Sequence, residues 1–350
     1  MAERRTGKTT VLKKMLANTP AGFIGIYQDL EGISSPGEFV EAVGLKLRNR
    51  FNFMHRAFYE GDRFLNRFAG GQAQGIKLPE EKQKNWKSHL PGLIQKVTLK
   101  EDQRLLFFWD ELPLMLYNIK AKSGPGVAMD VLDVIRNLRQ DLNVRMVLTG
   151  SVGLHHVVDE LRKGGYSNAP VNDLYQADVS PLSREYSLEL ARRLLQGENI
   201  PVDDLDAVAQ EIAETSDDVP YYIHHLIVSL KSTNKLADQH AVQKVAQDSL
   251  SIASDPWNFR YYKVRIETYY SDEEAPVAYA ILDALSHETG PMGLDELFNQ
   301  VKSKYKIKDR ELVKYVLRLL ELDHYVSGSA ETQFQFRSKL IKTWWRQQSA

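Results

Sequence analysis

Leu105-Leu106-Phe107-Phe108-Trp109-Asp110-Glu111 is an unbroken apolar run that ends on two acids. A run with no polar alternation has no solvent side, so it reads as a central strand of a parallel sheet covered on both faces. It leaves two carboxylates where the buried strand opens into a loop. Two further short runs flank it in the sequence. Residues 23–27 form one, closed by Asp29-Leu30-Glu31-Gly32, and Val144-Arg145-Met146-Val147-Leu148 form the other, ending in Thr149-Gly150-Ser151. Helical patterns lie between them, over residues 9–17, 37–51 and 127–142. The last has Val131, Ile135, Leu138 and Leu142 on one face. Strands alternating with helices predict an α/β domain with a parallel sheet and right-handed crossovers. Residues 52–90 have a weak pattern, with Gly70-Gly71 and many lysines, and read as an insertion or long loop.

Beyond Pro181 the strand signals stop. Residues 184–196, 205–215, 221–230 and 241–249 are all helical in pattern and predict a small all-helical unit. A polar stretch with aromatics, residues 254–273, reads as the link to a third unit. There, helices over 275–287, 294–304 and 309–322 precede an alternating pair, Tyr325-Val326-Ser327-Gly328 and Gln333-Phe334-Gln335-Phe336. A last helix carries Leu340, Trp344 and Trp345. Three helices and a two-stranded wing make a winged-helix pattern. The predicted domains are therefore residues 1–179, 180–253 and 254–350.

The totals limit what such a chain does. At 350 residues and 43% hydrophobic content it can bury more than one core. A net charge of −1 excludes a polycation built to coat nucleic acid. With no cysteine there is no disulfide, no thiolate metal site and no cysteine nucleophile. The chain opens on charged residues and has no apolar run long enough to span a bilayer, so no secretory leader, no membrane partner and a cytoplasmic location are expected.

Arg4-Arg5-Thr6-Gly7-Lys8-Thr9-Thr10 opens the first helix. A phosphate chain needs close backbone approach, which glycine permits, and the N–H groups of a helix start. The residues for this task are Arg5, Thr6, Gly7, Lys8, Thr9 and Thr10. Lys8 would reach the β- and γ-phosphates, and the Thr9 hydroxyl would ligate magnesium. Asp110 would hold the same metal through its water shell, and Glu111 would serve as base or water-positioning group. A hydroxyl at the end of the third strand would sense the γ-phosphate, with Ser151 preferred to Thr149. The expected cofactors are ATP and Mg2+, and the ligands ATP and ADP.

Together the Gly-Lys-Thr loop, the Phe-Phe-Trp-Asp-Glu strand and the Leu-Thr-Gly-Ser strand resemble those of AAA+/STAND-type P-loop ATPases, most closely the archaeal-type ATPase group. Ser180-Pro181-Leu182-Ser183, Val219-Pro220-Tyr221-Tyr222-Ile223, Phe336-Arg337-Ser338 and Trp344-Trp345 extend the likeness over nearly the whole chain. It implies a P-loop core, a helical lid and a C-terminal winged helix. It also implies Pro220 and Tyr221 on the adenine side of the nucleotide, with His224 and His225 as ordinary lid residues. The chain departs from the family pattern in three places. Ala2 stands where the first loop glycine belongs, the strand that feeds the loop is absent from the sequence, and Asp173-Leu174-Tyr175-Gln176 lacks the arginine that follows a Leu-Tyr pair in relatives. Arg162 and Arg184 are the alternatives for that arginine.

The expected function is an ATP-binding switch with slow hydrolysis, compatible with a protein partner or self-association. One alternative is a DNA-binding ATPase of origin-recognition or transposition type, using Lys302, Lys304, Lys306, Lys308, Arg310 and Lys314. Another is a degenerate nucleotide-binding scaffold.

Overall fold

The structure is a computed structural model that describes residues 6–51, 85–97, 99, 102–142, 144–150, 153–166, 169–329 and 333–349. The insertion predicted over 52–90 lies outside the described residues up to residue 84. The chain divides into two compact units, Thr9–Gln176 and Ala177–Ala350, the second grouping with Met1–Lys8.

The N-terminal unit is α/β. Its strands β1 (Phe23–Asp29), β2 (Arg104–Asp110) and β3 (Val144–Leu148) form a parallel sheet in the order β1-β2-β3. Its helices are α1 (Lys8–Ala17), α2 (Pro36–Phe51), α3 (Trp86–Gln95), α4 (Leu112–Ser123), α5 (Pro125–Asp141) and α6 (Leu154–Lys163). As the apolar run requires, β2 is central, with Phe107, Phe108 and Trp109 fully buried. One face of the sheet supplies Ile26, Phe107 and Trp109 to a core shared with α2, α4 and α5. Trp109 meets Phe39 of α2 edge-on at 5.1 Å. The other face receives α1, whose Leu12 is buried. There Gly25 is required by space: a Cβ on it would stand 2.6 Å from Thr19 Oγ1 and 2.8 Å from Leu16 Cδ1.

The register aligns Asp29 with Asp110, so β1 and β2 end level and their last residues are acids. Helices α4 and α6 are additions to the predicted elements. Pro113 falls in the first turn of α4, where a missing N–H costs nothing. Gly124 alone separates α4 from α5, at φ 90°.

The C-terminal unit begins with α7 (Arg184–Gly197), α8 (Leu205–Thr215), α9 (Pro220–Thr233) and α10 (Gln239–Ser251). Ser183, Asp204 and Asp238 cap three of these by accepting from first-turn amides. The stretch read as a polar link forms α11 (Arg260–Tyr269) and is not a solvated tether. Trp257, Phe259, Tyr262, Ile266 and Tyr270 are buried in one continuous core that runs from α7 to the end of the chain. Then follow α12 (Glu274–His287), β4 (Met292–Gly293), α13 (Leu294–Tyr305), α14 (Arg310–Leu322), β5 (Val326–Ser329), β6 (Gln333–Phe336) and α15 (Lys339–Ser349). The alternating pair is antiparallel, β5 with β6, and β4 adds to its other side. Among the described residues no helix is long and apolar enough to cross a membrane.

Candidate functional site

Asp110 is the last residue of β2 and only 3% exposed. Its carboxylate collects groups from distant parts of the sequence. The Thr9 hydroxyl at the start of α1 donates to Oδ2 at 2.6 Å, and the Thr149 hydroxyl just beyond β3 donates to Oδ1 at 2.5 Å. The backbone N–H of Glu111 donates to Oδ1 at 3.2 Å. Tyr27 of β1 stands farther off, its hydroxyl 3.4 Å from Oδ2. Burial, with the neighbouring charge of Asp110 and Asp29 next, pushes the Tyr27 phenol up to about 12. It therefore stays a hydrogen-bond donor across the physiological range.

Each contact follows from the sheet. Parallel strands in register bring their C-terminal ends to one edge, and the main chain links those ends directly: Leu30 N donates to Asp110 O at 3.0 Å, and Thr149 N to Trp109 O at 3.0 Å. Close packing of α1 against Gly25 sets where Thr9 falls. The result is an all-oxygen donor set of one carboxylate and two hydroxyls. Such a set suits a hard divalent cation and not a soft one.

Glu111 sits at φ 58°, in the left-handed region, at the N-cap of α4. For a residue other than glycine this conformation costs on the order of 1–3 kcal/mol and persists only where the surroundings enforce it. The turn is held by Leu112 N donating to Thr149 O at 3.0 Å and Met115 N donating to Glu111 O at 3.1 Å. Preceding these, Gly7 has φ 90°, Thr6 and Lys8 are buried, and Thr9 and Thr10 are exposed by residue.

Of the residues named from sequence, Thr9 and Asp110 are in contact, and Glu111 directly follows Asp110 in the chain. Arg5 and Ser151 lie outside the described residues. Thr149, ranked below Ser151 in the sequence, donates its hydroxyl to Asp110. Tyr27 was missed; its place two residues before the end of a strand is the only signal it carries. Pro220 and Tyr221 open α9 in the C-terminal unit. Both are half-buried, and the Tyr221 ring packs on His225 at 4.3 Å. The two candidate arginines pair with acids: Arg162 with Asp159 at 3.3 Å, and Arg184 with Asp218 at 3.1 Å. Of the six cations considered for DNA, Lys304 and Arg310 bind Asp283 and Asp295, and Lys314 lies 3.4 Å from Glu311.

This arrangement of strands and helices is shared with solved proteins. The chain is similar over 99% of its length, and 89% of the other chain, to the Walker-type ATPase paby2304 of Pyrococcus abyssi, at 16% identity and a TM-score of 0.59. The chain thus shares the fold of that solved protein. The Aeropyrum pernix ORC1 protein, solved in complex with DNA, aligns over 99% of this chain and 85% of its own, at 12% identity and a TM-score of 0.43. The Aeropyrum pernix ORC2 protein, solved in ADPNP-ADP complexes, aligns over 99% and 87%, at 12% identity and 0.41. The sequence matches no protein-family model and no curated protein.

Proposed function

We propose that this protein binds ATP with magnesium and uses nucleotide occupancy to set the conformation of its C-terminal unit, hydrolysing ATP slowly. The observation that carries the proposal is the Thr9–Asp110 hydrogen bond, 2.6 Å across 101 residues of sequence. A buried carboxylate needs hydrogen-bond donors, and this one takes one from a hydroxyl at a helix start directly after Gly-Lys. Thr9 and Asp110 would together hold magnesium, which would supply positive charge beside the phosphates.

In this reading Arg5, Thr6, Gly7 and Thr10 line the phosphates with backbone groups, and Lys8 supplies a fixed positive charge to the β- and γ-phosphates. Thr9 and Asp110 hold magnesium, which when bound neutralises charge between the phosphates. Glu111 would orient the attacking water from its place at the N-cap of α4. Thr149 holds Asp110 in place and reports on the γ-phosphate, with Ser151 as the neighbouring hydroxyl. Pro220 and Tyr221 belong to the adenine side. Both candidate arginines are engaged by acids, which is consistent with slow rather than rapid turnover.

The test is Lys8→Ala followed by titration calorimetry with ATP and magnesium. Removing a charge paired with phosphate is expected to weaken affinity roughly 30-fold or more. Unchanged affinity ends the proposal.

A further inference from the structure

The turn between α8 and α9, immediately before Pro220, has two consecutive residues in the left-handed region. Asp217 has φ 51° and Asp218 has φ 59°. Neither is glycine, so the surroundings must hold both. Three separate pieces of the chain do so. The end of α8 supplies its carbonyls, with Asp218 N donating to Ala213 O at 3.1 Å and Asp217 N to Glu214 O at 3.3 Å. The segment entering α7 is tied on by Leu182 N, which donates to Asp218 O at 3.0 Å, and by the Arg184–Asp218 ion pair. The third piece is the last helix of the chain.

That last link is unusual in what it does. Ser338 precedes α15, is buried, and caps the helix by accepting from Ile341 N at 3.1 Å. Its own hydroxyl donates to Asp217 Oδ2 at 2.6 Å, and Leu340 N donates to the same oxygen at 2.9 Å. A carboxylate from a turn more than a hundred residues earlier therefore completes the N-terminal cap of α15, where negative charge is favoured by the helix dipole. A second connection runs beside it. Tyr222 of α9 stacks on Phe259 at 5.3 Å, and Phe259 stacks on Trp344 of α15 at 5.7 Å. All three rings are buried. The turn before α9 and the start of α15 are thus joined by a polar contact, and α9 and the middle of α15 by an aromatic column.

We propose that Asp217 is the coupling residue of this protein, carrying the nucleotide state sensed beside Pro220 and Tyr221 into α15. The proposal rests on the nucleotide reading above. With nucleotide bound, the turn is held and α15 stays capped. Without it, the turn relaxes and the first turn of α15 opens to solvent.

The experiment is amide hydrogen exchange on the full chain, with and without ATP and magnesium, alongside calorimetric ATP affinity. In the wild type, nucleotide is expected to slow exchange over residues 338–342. Asp217→Gly keeps the left-handed backbone accessible and removes the carboxylate. It is expected to speed exchange at Leu340 and Ile341 roughly five- to tenfold in the ATP-bound protein, to abolish the response of α15 to ATP, and to change ATP affinity by no more than that same factor. Asp217→Asn retains an acceptor oxygen and restores the response. Ser338→Ala removes the shared hydroxyl and lowers the response. A wild type that binds ATP with no change at α15, or an Asp217→Gly variant that responds as the wild type does, overturns the coupling role alone. A wild type that binds no ATP overturns the nucleotide reading and the coupling with it.

Discussion

Asp110 and Asp323 are both buried carboxylates, 3% and 4% exposed, yet they are held by different kinds of group. Asp323, just past α14 in the C-terminal unit, faces the buried guanidinium of Arg265 at 3.4 Å and takes the Tyr270 hydroxyl at 2.8 Å. Its charge is cancelled on the spot, and the pair braces α11 against the end of α14. Asp110, in the N-terminal unit, is held by two short hydroxyl bonds, an amide and a more distant phenol. Those dipoles aim the carboxylate and leave its charge in place. Burying an ion beside its partner makes a brace. Burying one among hydroxyls fixes where it points.

The largest effect expected from this contrast is on the braced side. Arg265→Met leaves Asp323 buried without its guanidinium and should lower unfolding stability by about 3–5 kcal/mol. Urea denaturation measures it, and a loss below about 1 kcal/mol would remove the distinction between the two sites. Next is the residue beside the brace, His324, which is buried and contacts Arg337. Burial first, and the Arg337 charge second, push its imidazole down to about 4 from 6.5. The folded state thus resists protonation while the unfolded chain accepts it. Its contribution is complete above pH 6.5 and is lost as pH falls toward 4. Stability measured across that window should slope downward with acid, and His324→Asn, which tolerates the left-handed backbone at φ 63°, should flatten the slope.

Smaller effects belong to the hydroxyl-held side. Thr149→Val removes one donor to Asp110 and should cost about 0.5–1.5 kcal/mol in stability, read by the same denaturation. Asp110→Asn should change stability by less than about 1 kcal/mol, because among the described residues no buried ion pair is broken. Its signature is functional: ATP affinity should cease to depend on magnesium, measured by calorimetry with and without a chelator. A loss of several kcal/mol would instead make Asp110 a second brace.

The elements read best from sequence are those whose pattern is set by a local period. The apolar run into Asp110 and the helical faces of α5 and α8 fall where periodicity puts them. So does the order of helices and hairpin at the C-terminus. Contacts fixed by register were harder to read. Nothing in the sequence says that the Thr149 hydroxyl reaches Asp110, because that contact depends on how β3 is aligned with β2. Tyr27 is likewise indistinguishable from any strand aromatic until Asp29 is known to lie level with Asp110. The region around Trp257 and Phe259 misleads for another reason. Its charged residues give it a polar average, while the aromatics between them turn inward and stack. The Asp217–Ser338 contact joins residues 121 apart, a distance over which local pattern carries no information.

Gly25 gives the candidate site a pivot. Its missing side chain sits under Leu16 and Thr19, at the far end of α1 from Thr9. An α-helix of that length is a stiff rod about 15 Å long. Lifting one end of it by a methyl group would tilt the other. The spacing between the Thr9 hydroxyl and Asp110 is thereby governed by a position that touches neither, and substitutions at Gly25 would retune that spacing by leverage, with both side chains left intact.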